Sequence, residues 1–270
     1  MRKKRYLILI LISVLFALEA KNEVDVVTTS GYAPFCFHKE GMDPALYITD
    51  TIPPGGDSFF FRGFAWDILK ESFHAAGYTI NLTVVPWKRA LFLLDRKKAD
   101  ISFPAVKTPG REKKYYFSKE LSYPPNHYLI YTLKSRPLDW KGLVSLGRKS
   151  IGVIRGYSYG TKWEKYSDMT KLNLVVFDDM DSLFRILNEG TLDAAAGYEF
   201  SHEYLINQKG WHDKYKRYFF DESLSYLISP KSSKGRKMLD MFDRGKNIIR
   251  SNGKLKKILD KWGFTYIDDF

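Results

Sequence analysis

Leu94-Asp-Arg-Lys-Lys-Ala-Asp100 and Leu187-Asn-Glu-Gly-Thr-Leu-Asp193 follow one pattern. In each, a leucine precedes the aspartate by six residues. In each, the chain passes from a helix end through a short turn into a small apolar strand. Around the first copy, residues 24–28, 78–85 and 99–103 read as strands, and 64–76 and 87–97 as helices. Around the second, 150–154, 173–177 and 192–196 read as strands, and 158–166 and 180–189 as helices. Alternation of β and α segments predicts mostly parallel sheets covered by helices, and the repeated phrase predicts two similarly built α/β lobes.

Residues 126–133 form an apolar, β-rich stretch placed to run from one lobe into the other, and 226–229 read as a returning strand. Two long helical patterns follow, 232–250 and 254–262, separated by Asn252-Gly253. The expected domains are a signal peptide over 1–20, a discontinuous first lobe over 21–131 plus 226–270, and a second lobe over 132–225. Two crossing strands make a hinge with an interlobe cleft beneath it. Clefts near the carboxyl ends of parallel strands are where ligands usually bind.

The export expectation rests on Arg2, Lys3, Lys4 and Arg5, an apolar run over 6–18, and Ala20 as a small residue for a peptidase. A membrane anchor would need about 20 apolar residues, and Glu19 and Lys21 end this run sooner. The periplasm is the expected location. The single cysteine, Cys36, cannot form an internal disulfide, so stability must come from packed cores, with Cys36 as a small buried hydrophobe. The formal charge is +12; removing residues 1–20 takes away four Lys/Arg and Glu19 and leaves +9. Such a surplus suits acidic partners, but no nucleic-acid motif accompanies it and the basic residues look scattered along the chain. No nucleic-acid partner is expected. The five histidines, His38, His74, His127, His202 and His212, show no metal-ligand spacing, and neither metal nor cofactor is expected.

In order, these motifs make the chain resemble the bacterial extracellular solute-binding proteins of family 3, typified by polar amino-acid receptors of ABC transporters. The resemblance is carried by Gly31-Tyr-Ala-Pro-Phe35, Gly63-Phe-Ala-Trp-Asp67-Ile-Leu, Ala99-Asp100, Thr108-Pro-Gly-Arg111 and Tyr116-Phe117-Ser118. Further along, Ile151-Gly-Val-Ile-Arg-Gly156, Gly190-Thr-Leu-Asp193-Ala and Lys254-Leu-Lys-Lys-Ile-Leu-Asp-Lys-Trp262 complete it. Pro86-Trp-Lys-Arg89 and Phe103-Pro104 mark a less characterised branch. The resemblance implies a two-lobed, hinge-closing periplasmic binding protein without catalytic residues. It would capture a small solute for an inner-membrane permease or sensor.

The resemblance also assigns roles. Arg111 stands where an arginine grips the ligand carboxylate; its planar fork makes two parallel charged hydrogen bonds that lysine cannot copy. A surface arginine beside Glu112 is the plainer alternative. Tyr157 and Ser158, after Gly156, would oppose it with backbone N–H groups at a helix start, or Ser158 would only cap that helix. Tyr32, Phe35 and Trp87 are candidate aromatic walls, though a chain that is 16% aromatic must place most such residues in its core. Lys107 would add charge near Arg111, or remain solvated. Tyr198 stands where the family's amino-acid receptors carry the aspartate that pairs with the ligand ammonium, and Glu199 follows it. A phenol cannot compensate a buried ammonium, so a carboxylate without an ammonium group, or an aromatic or sugar-like solute, becomes as plausible as an amino acid. Residues 41–62, with Phe59-Phe-Phe61, read as an extended loop whose aromatics shield the cleft or pack on the first lobe.

Two other functions compete. A lyase or dehydratase could use the same cleft, as a few relatives of the fold do, but would need a tuned acid/base pair that no motif announces. A sensory receptor would present its closed form to a signalling partner instead of delivering solute. A monomer is expected in either case.

Overall fold

The structure, a computed structural model, describes residues 22–42, 47–170 and 172–264. The start read as an export signal lies outside the described residues, as do positions 43–46 of the expected loop. The first half of the chain comprises β1 (Glu23–Thr28), β2 (Gly31–Tyr32), β3 (Cys36–His38), β4 (Ile48–Ile52), β5 (Phe61–Arg62), α1 (Phe64–Ala75), β6 (Thr79–Val84), α2 (Trp87–Asp95), β7 (Ile101–Ala105) and α3 (Pro109–Lys114). The long strand β8 (Tyr115–Leu133) leaves it. The second half comprises β9 (Ser150–Ile154), α4 (Gly160–Met169), β10 (Asn173–Phe177), α5 (Met180–Asn188), β11 (Ala194–Tyr198) and α6 (Glu199–Gln208). Strand β12 (Tyr215–Pro230) returns to the first half, where α7 (Ser233–Ser251) and α8 (Lys254–Lys261) pack.

Among the described residues one mixed sheet runs in the order β10-β9-β11-β8-β12-β7-β1-β6-β4, and β2, β3 and β5 form a small second sheet. Its two ends are parallel: β1 lies between β6 and β7, and β9 between β10 and β11. Strands covered on both faces must be apolar or small throughout, and β7 (ISFPA) and β11 (AAAGY) are buried at every position. Between the parallel ends run β8 and β12, antiparallel to each other along most of their length. The β8 residues 128–131 pair with β11, while the far end of β12 pairs with β7, so these two strands join the two halves. Their ladder shifts register between Phe219 and Asp221 and again between Ser223 and Ile228.

Helix α1 shows why the first half holds together. Phe64, Ala65, Ile68, Leu69 and Phe73 fall on its buried side, the spacing of an amphipathic helix. Its N-terminal amides are met by the loop before it: Phe64 N–H donates to Pro34 O (2.8 Å) and Ala65 N–H to Phe35 O (2.9 Å). The segment carrying Tyr32 and Phe35 is thereby fastened to a core helix. Across α1 lies α7, whose Gly245 sits so close that an added Cβ would stand 1.8 Å from Ser72 O. Backbone cannot rotate out of such a clash, so the helices would have to separate. We expect Gly245→Ala to cost about 3 kcal/mol, the upper range for overpacking, and to lower Tm by roughly 6–12 °C for a chain this size. Scanning calorimetry measures this directly, and an unchanged Tm would refute the close crossing.

Several elements differ from expectation. β8 begins eleven residues before the expected start at Asn126 and runs on through Pro124 and Pro125, a pair that ordinarily argues against a strand. Helix α6 was not expected, because its buried positions include Ser201 and His202 instead of an apolar stripe. Within the expected loop, β4 pairs antiparallel with β6 at the sheet edge. The three phenylalanines divide: Phe61 is fully buried against Trp66, whereas Phe59 is 78% exposed with its ring edge-on to Phe60 (5.1 Å). Cys36 is buried and free, and burial pushes its thiol up to about 12, as a packing residue requires.

Candidate functional site

The carboxyl ends of the parallel strands converge on one space. Thr29 and Tyr32 follow β1, Pro104 and Val106 lie at the end of β7, Tyr157 and Ser158 follow β9, and Tyr198 ends β11. With Trp87, the first residue of α2, and Arg111 in α3, they line a narrow cavity of about 30 Å³. That is room for about a water or two, well below the usual range of small-molecule sites, so a solute needs these walls to stand further apart. Thr29, Pro104 and Val106 were not singled out from sequence; their places at strand ends were the available signal.

Arg111 owes its position to the motif around it. Thr108 is the N-cap of α3 and its Oγ1 accepts from Arg111 N–H (3.3 Å), while Pro109 occupies the first turn, where its missing N–H costs nothing. The side chain turns back so that Nη1 donates to Val106 O (3.1 Å) and the guanidinium carbon stands 5.6 Å from the Trp87 ring centroid. Among the described residues no carboxylate lies within ion-pairing distance of it. Its remaining donors border the cavity, and none of the lining side chains carries negative charge.

Aromatic rings make most of the wall. Tyr157 stacks on Tyr198 (5.3 Å between centroids, 14° between planes), and Tyr32 meets both edge-on at 5.8 and 5.3 Å. Tyr32 Oη accepts from Asn126 Nδ2 (2.9 Å), and Tyr157 Oη donates to Gly31 O (3.3 Å), so each tyrosine is tied to an element remote from its own. Tyr198 Oη donates to Ser158 O at 2.5 Å. Burial raises the phenols of Tyr32, Tyr157 and Tyr198 above their ordinary value, which keeps them neutral at physiological pH. At the cleft's edge Phe35 meets Phe200 (5.9 Å) and Phe37 meets Tyr204 (5.6 Å), joining the first half to α6.

The segment opposite Arg111 differs in detail from expectation. Helix α4 starts at Gly160 with Tyr159 at its N-cap, and no side chain caps it. Ser158 is therefore not the cap; its Oγ donates to Glu164 Oε1 (2.6 Å). The Tyr157 amide is taken by Ile154 O (3.1 Å), leaving it unavailable to a ligand.

Two candidates stand away from the cavity. Phe35 lies beneath Tyr32, stacked at 4.7 Å and 1% exposed, so it supports the wall without forming it. Lys107 sits over the rings of Tyr226 (4.2 Å) and Phe117 (5.7 Å), an aromatic contact that draws its ammonium aside. Glu199 also turns away: its Oε2 meets His127 Nδ1 at 2.8 Å. Tyr198, not an acid, faces the space.

The family described as "Bacterial extracellular solute-binding proteins, family 3" matches residues 53–265. Among curated proteins none matches the chain. Solved structures resemble it at low identity. The arginine-, lysine-, histidine-binding protein ArtJ from the thermophilic bacterium Geobacillus stearothermophilus is 22% identical, with a TM-score of 0.69 over 89% of this chain and 94% of that one. An ABC uptake transporter substrate-binding protein from Streptococcus pneumoniae with bound histidine is 17% identical, with a TM-score of 0.72 over 89% and 92%. A histidine kinase sensor domain with similarity to periplasmic binding proteins is 16% identical, with a TM-score of 0.71 over 90% and 96%. The fold is that of the two-lobed periplasmic binding proteins.

Proposed function

We infer the function from one premise: this chain belongs to the bacterial extracellular solute-binding proteins of family 3. It captures a small, carboxylate-bearing solute between its lobes and holds it by hinge closure. The single observation that carries this reading is Arg111, a guanidinium at the wall of an aromatic cavity with no carboxylate among the described residues to neutralise it. A partly desolvated cation of this kind gains most from an anion that brings its own planar pair of oxygens. With a tyrosine at 198 and Glu199 held by His127, an α-ammonium would find no charged partner, so the solute lacks one.

In this reading Arg111 and the backbone N–H of Ser158 take the polar end of the solute, the Ser158 hydroxyl being held by Glu164. Tyr32, Trp87, Tyr157 and Tyr198 take its flat or apolar body, with Phe35 and Lys107 outside the contact set. The lobes are 21–131 plus 226–270 and 132–225, and the register shifts of β12 between Phe219 and Ile228 supply the bend. Exported to the periplasm by its N-terminal signal, the chain acts as a monomer and hands solute to an ABC-type permease. The likeness to a histidine kinase sensor domain favours a second reading, presentation of the closed form to a signalling partner. The family and its neighbours are binding proteins, and catalysis is not part of the proposal.

Thermal shift on the mature protein tests the solute class. A ligand present at 100 times its Kd stabilises by about 2.7 kcal/mol, roughly 5–10 °C here. Carboxylates without an α-ammonium, aromatic ones among them, should produce that shift, while sugars and oligoamines should not. A panel in which only α-amino acids bind would overturn the reading, and consumption of a hit would replace binding by catalysis.

A further inference from the structure

The cations that look scattered along the chain are not scattered in space. Many of the exposed lysines and arginines elsewhere are ion-paired, among them Lys134 with Asp213, Arg155 with Asp178, Lys209 with Asp181, Lys254 with Glu71 and Lys256 with Asp260. On and beside α2 and α3 a run of cations is left unpaired around an exposed aromatic ring. Lys88, Arg89, Arg96, Lys97 and Lys98 are exposed on or just after α2, and Lys113 and Lys114 end α3. Among the described residues none of these seven has a carboxylate within 4 Å. The two segments are linked by Arg111 over Trp87 and by Tyr115 Oη donating to Asp95 Oδ1 (2.5 Å). That hydrogen bond occupies one of the few acids on this face.

At the centre stands Phe92, 46% exposed, with the guanidinium carbons of Arg89 and Arg96 at 5.1 and 5.4 Å from its ring centroid. An aromatic knob ringed by cations on a convex helix suits a headgroup layer: the ring enters the boundary region while the guanidinium and ammonium groups meet lipid phosphates. A protein partner would need a pocket for Phe92 and acids spaced to match, whereas a fluid anionic surface adapts to the charges as they stand. We propose that the α2–α3 face, centred on Phe92, docks the protein on anionic phospholipid headgroups, with the cleft beside it. The proposal does not depend on what the cleft holds, because it can be read without a solute.

Vesicle flotation with the mature chain tests it. Vesicles of phosphatidylcholine with 40% phosphatidylglycerol should retain the protein at least tenfold better than phosphatidylcholine alone at about 50 mM salt, and raising the salt should weaken retention because these charges are solvent-exposed. The double variant Arg89→Glu/Arg96→Glu should lose most of that preference. The charge-matched variant Lys134→Glu/Lys256→Glu, remote from the face, should keep it. Phe92→Ser should lower retention severalfold without changing net charge. The proposal is overturned if phosphatidylglycerol gives no preference, if the remote variant loses as much as the α2 variant, or if Phe92→Ser partitions like the parent. Binding to polyglutamate without binding to vesicles would equally overturn it and assign the face to an acidic protein. All the altered side chains are exposed, and circular dichroism of each variant checks that it is folded.

Discussion

Arg111→Ala is expected to abolish the thermal shift given by the best carboxylate of the panel, with affinity falling between tens-fold and thousands-fold. The magnitude follows from what the substitution leaves behind. Removing one member of a desolvated charged pair costs about 2–5 kcal/mol, much of it the penalty of a carboxylate buried without a partner. Nothing nearby can substitute: Lys107 is held by Tyr226, and the cavity-lining hydroxyls of Tyr32, Tyr157 and Tyr198 belong to neutral phenols. Arg111→Lys should fall in between, because it keeps the charge but loses the fork and the planar face set against Trp87. Isothermal titration of the three proteins with one carboxylate reads all of this. The outcome that defeats the assignment is an alanine variant that binds like the parent while Tyr198→Ala does not, which would make the site an aromatic clamp without an anion hole. The alanine variant should remain folded, since the one side-chain hydrogen bond given up, to Val106 O, lies at the cavity rim.

What could be read beforehand follows from which physical signals were local. Strand 150–154 stands where its apolar run puts it, and α1 where its spacing does, because burial on fixed faces imposes those periods; strand 173–177 also forms where its β-branched run predicts, though it lies exposed at the sheet edge. Long-range pairing leaves no such trace. The first part of β8 is held by β12, about a hundred residues later in the chain, and that ladder overrides the breaker signal of Pro124-Pro125. Helix α6 escaped notice because a histidine and a serine occupy its buried side. Around the cavity, Tyr32, Trp87, Tyr157 and Tyr198 are legible as residues just past strand ends or at helix starts, and Arg111 through Thr108-Pro109 before it. Phe35 was misplaced because adjacency in sequence cannot tell a wall from the layer behind it. Lys107 was misplaced because Tyr226, which draws it away, lies on the returning strand. The basic face was invisible for the same reason: whether a lysine has an acidic neighbour is decided by folding.

The histidine that hid α6 should dominate the protein's response to acid. His202 is 2% exposed between Tyr131 and Phe184, each 5.1 Å from its ring, and lies where a Cβ on Gly197 would stand. Its Nδ1 has no partner among the described residues, and burial lowers its pKa from 6.5 to about 3. Between those values the unfolded chain binds a proton that the folded chain refuses, so stability must fall as pH falls from 6.5 toward 3. At pH 4.5 the loss amounts to about 2.7 kcal/mol at 1.36 kcal/mol per pKa unit, a large part of a typical stability of about 5–15 kcal/mol. The carboxyls of Asp57, Glu71 and Asp193 are held below their usual range and lose their contribution at lower pH still, while Asp243, raised by burial, acts with the opposite sign and is common to parent and variant. His74, also lowered by burial, acts in the same direction as His202 but is common to both proteins in a comparison. Urea midpoints of the parent and of His202→Leu, measured at intervals from pH 7 to 4.5, should therefore diverge: steep decline for the parent, a slope shallower by about 1.4 kcal/mol per pH unit for the variant below pH 6. The leucine variant starts from its own baseline at pH 7, because it changes the fit against Tyr131 and Phe184, so the slope is the measure and not the intercept. Parallel curves would mean that the imidazole can take up a proton in the native state, which requires water or an acid at Nδ1 and a second lobe less tightly packed than these ring contacts describe.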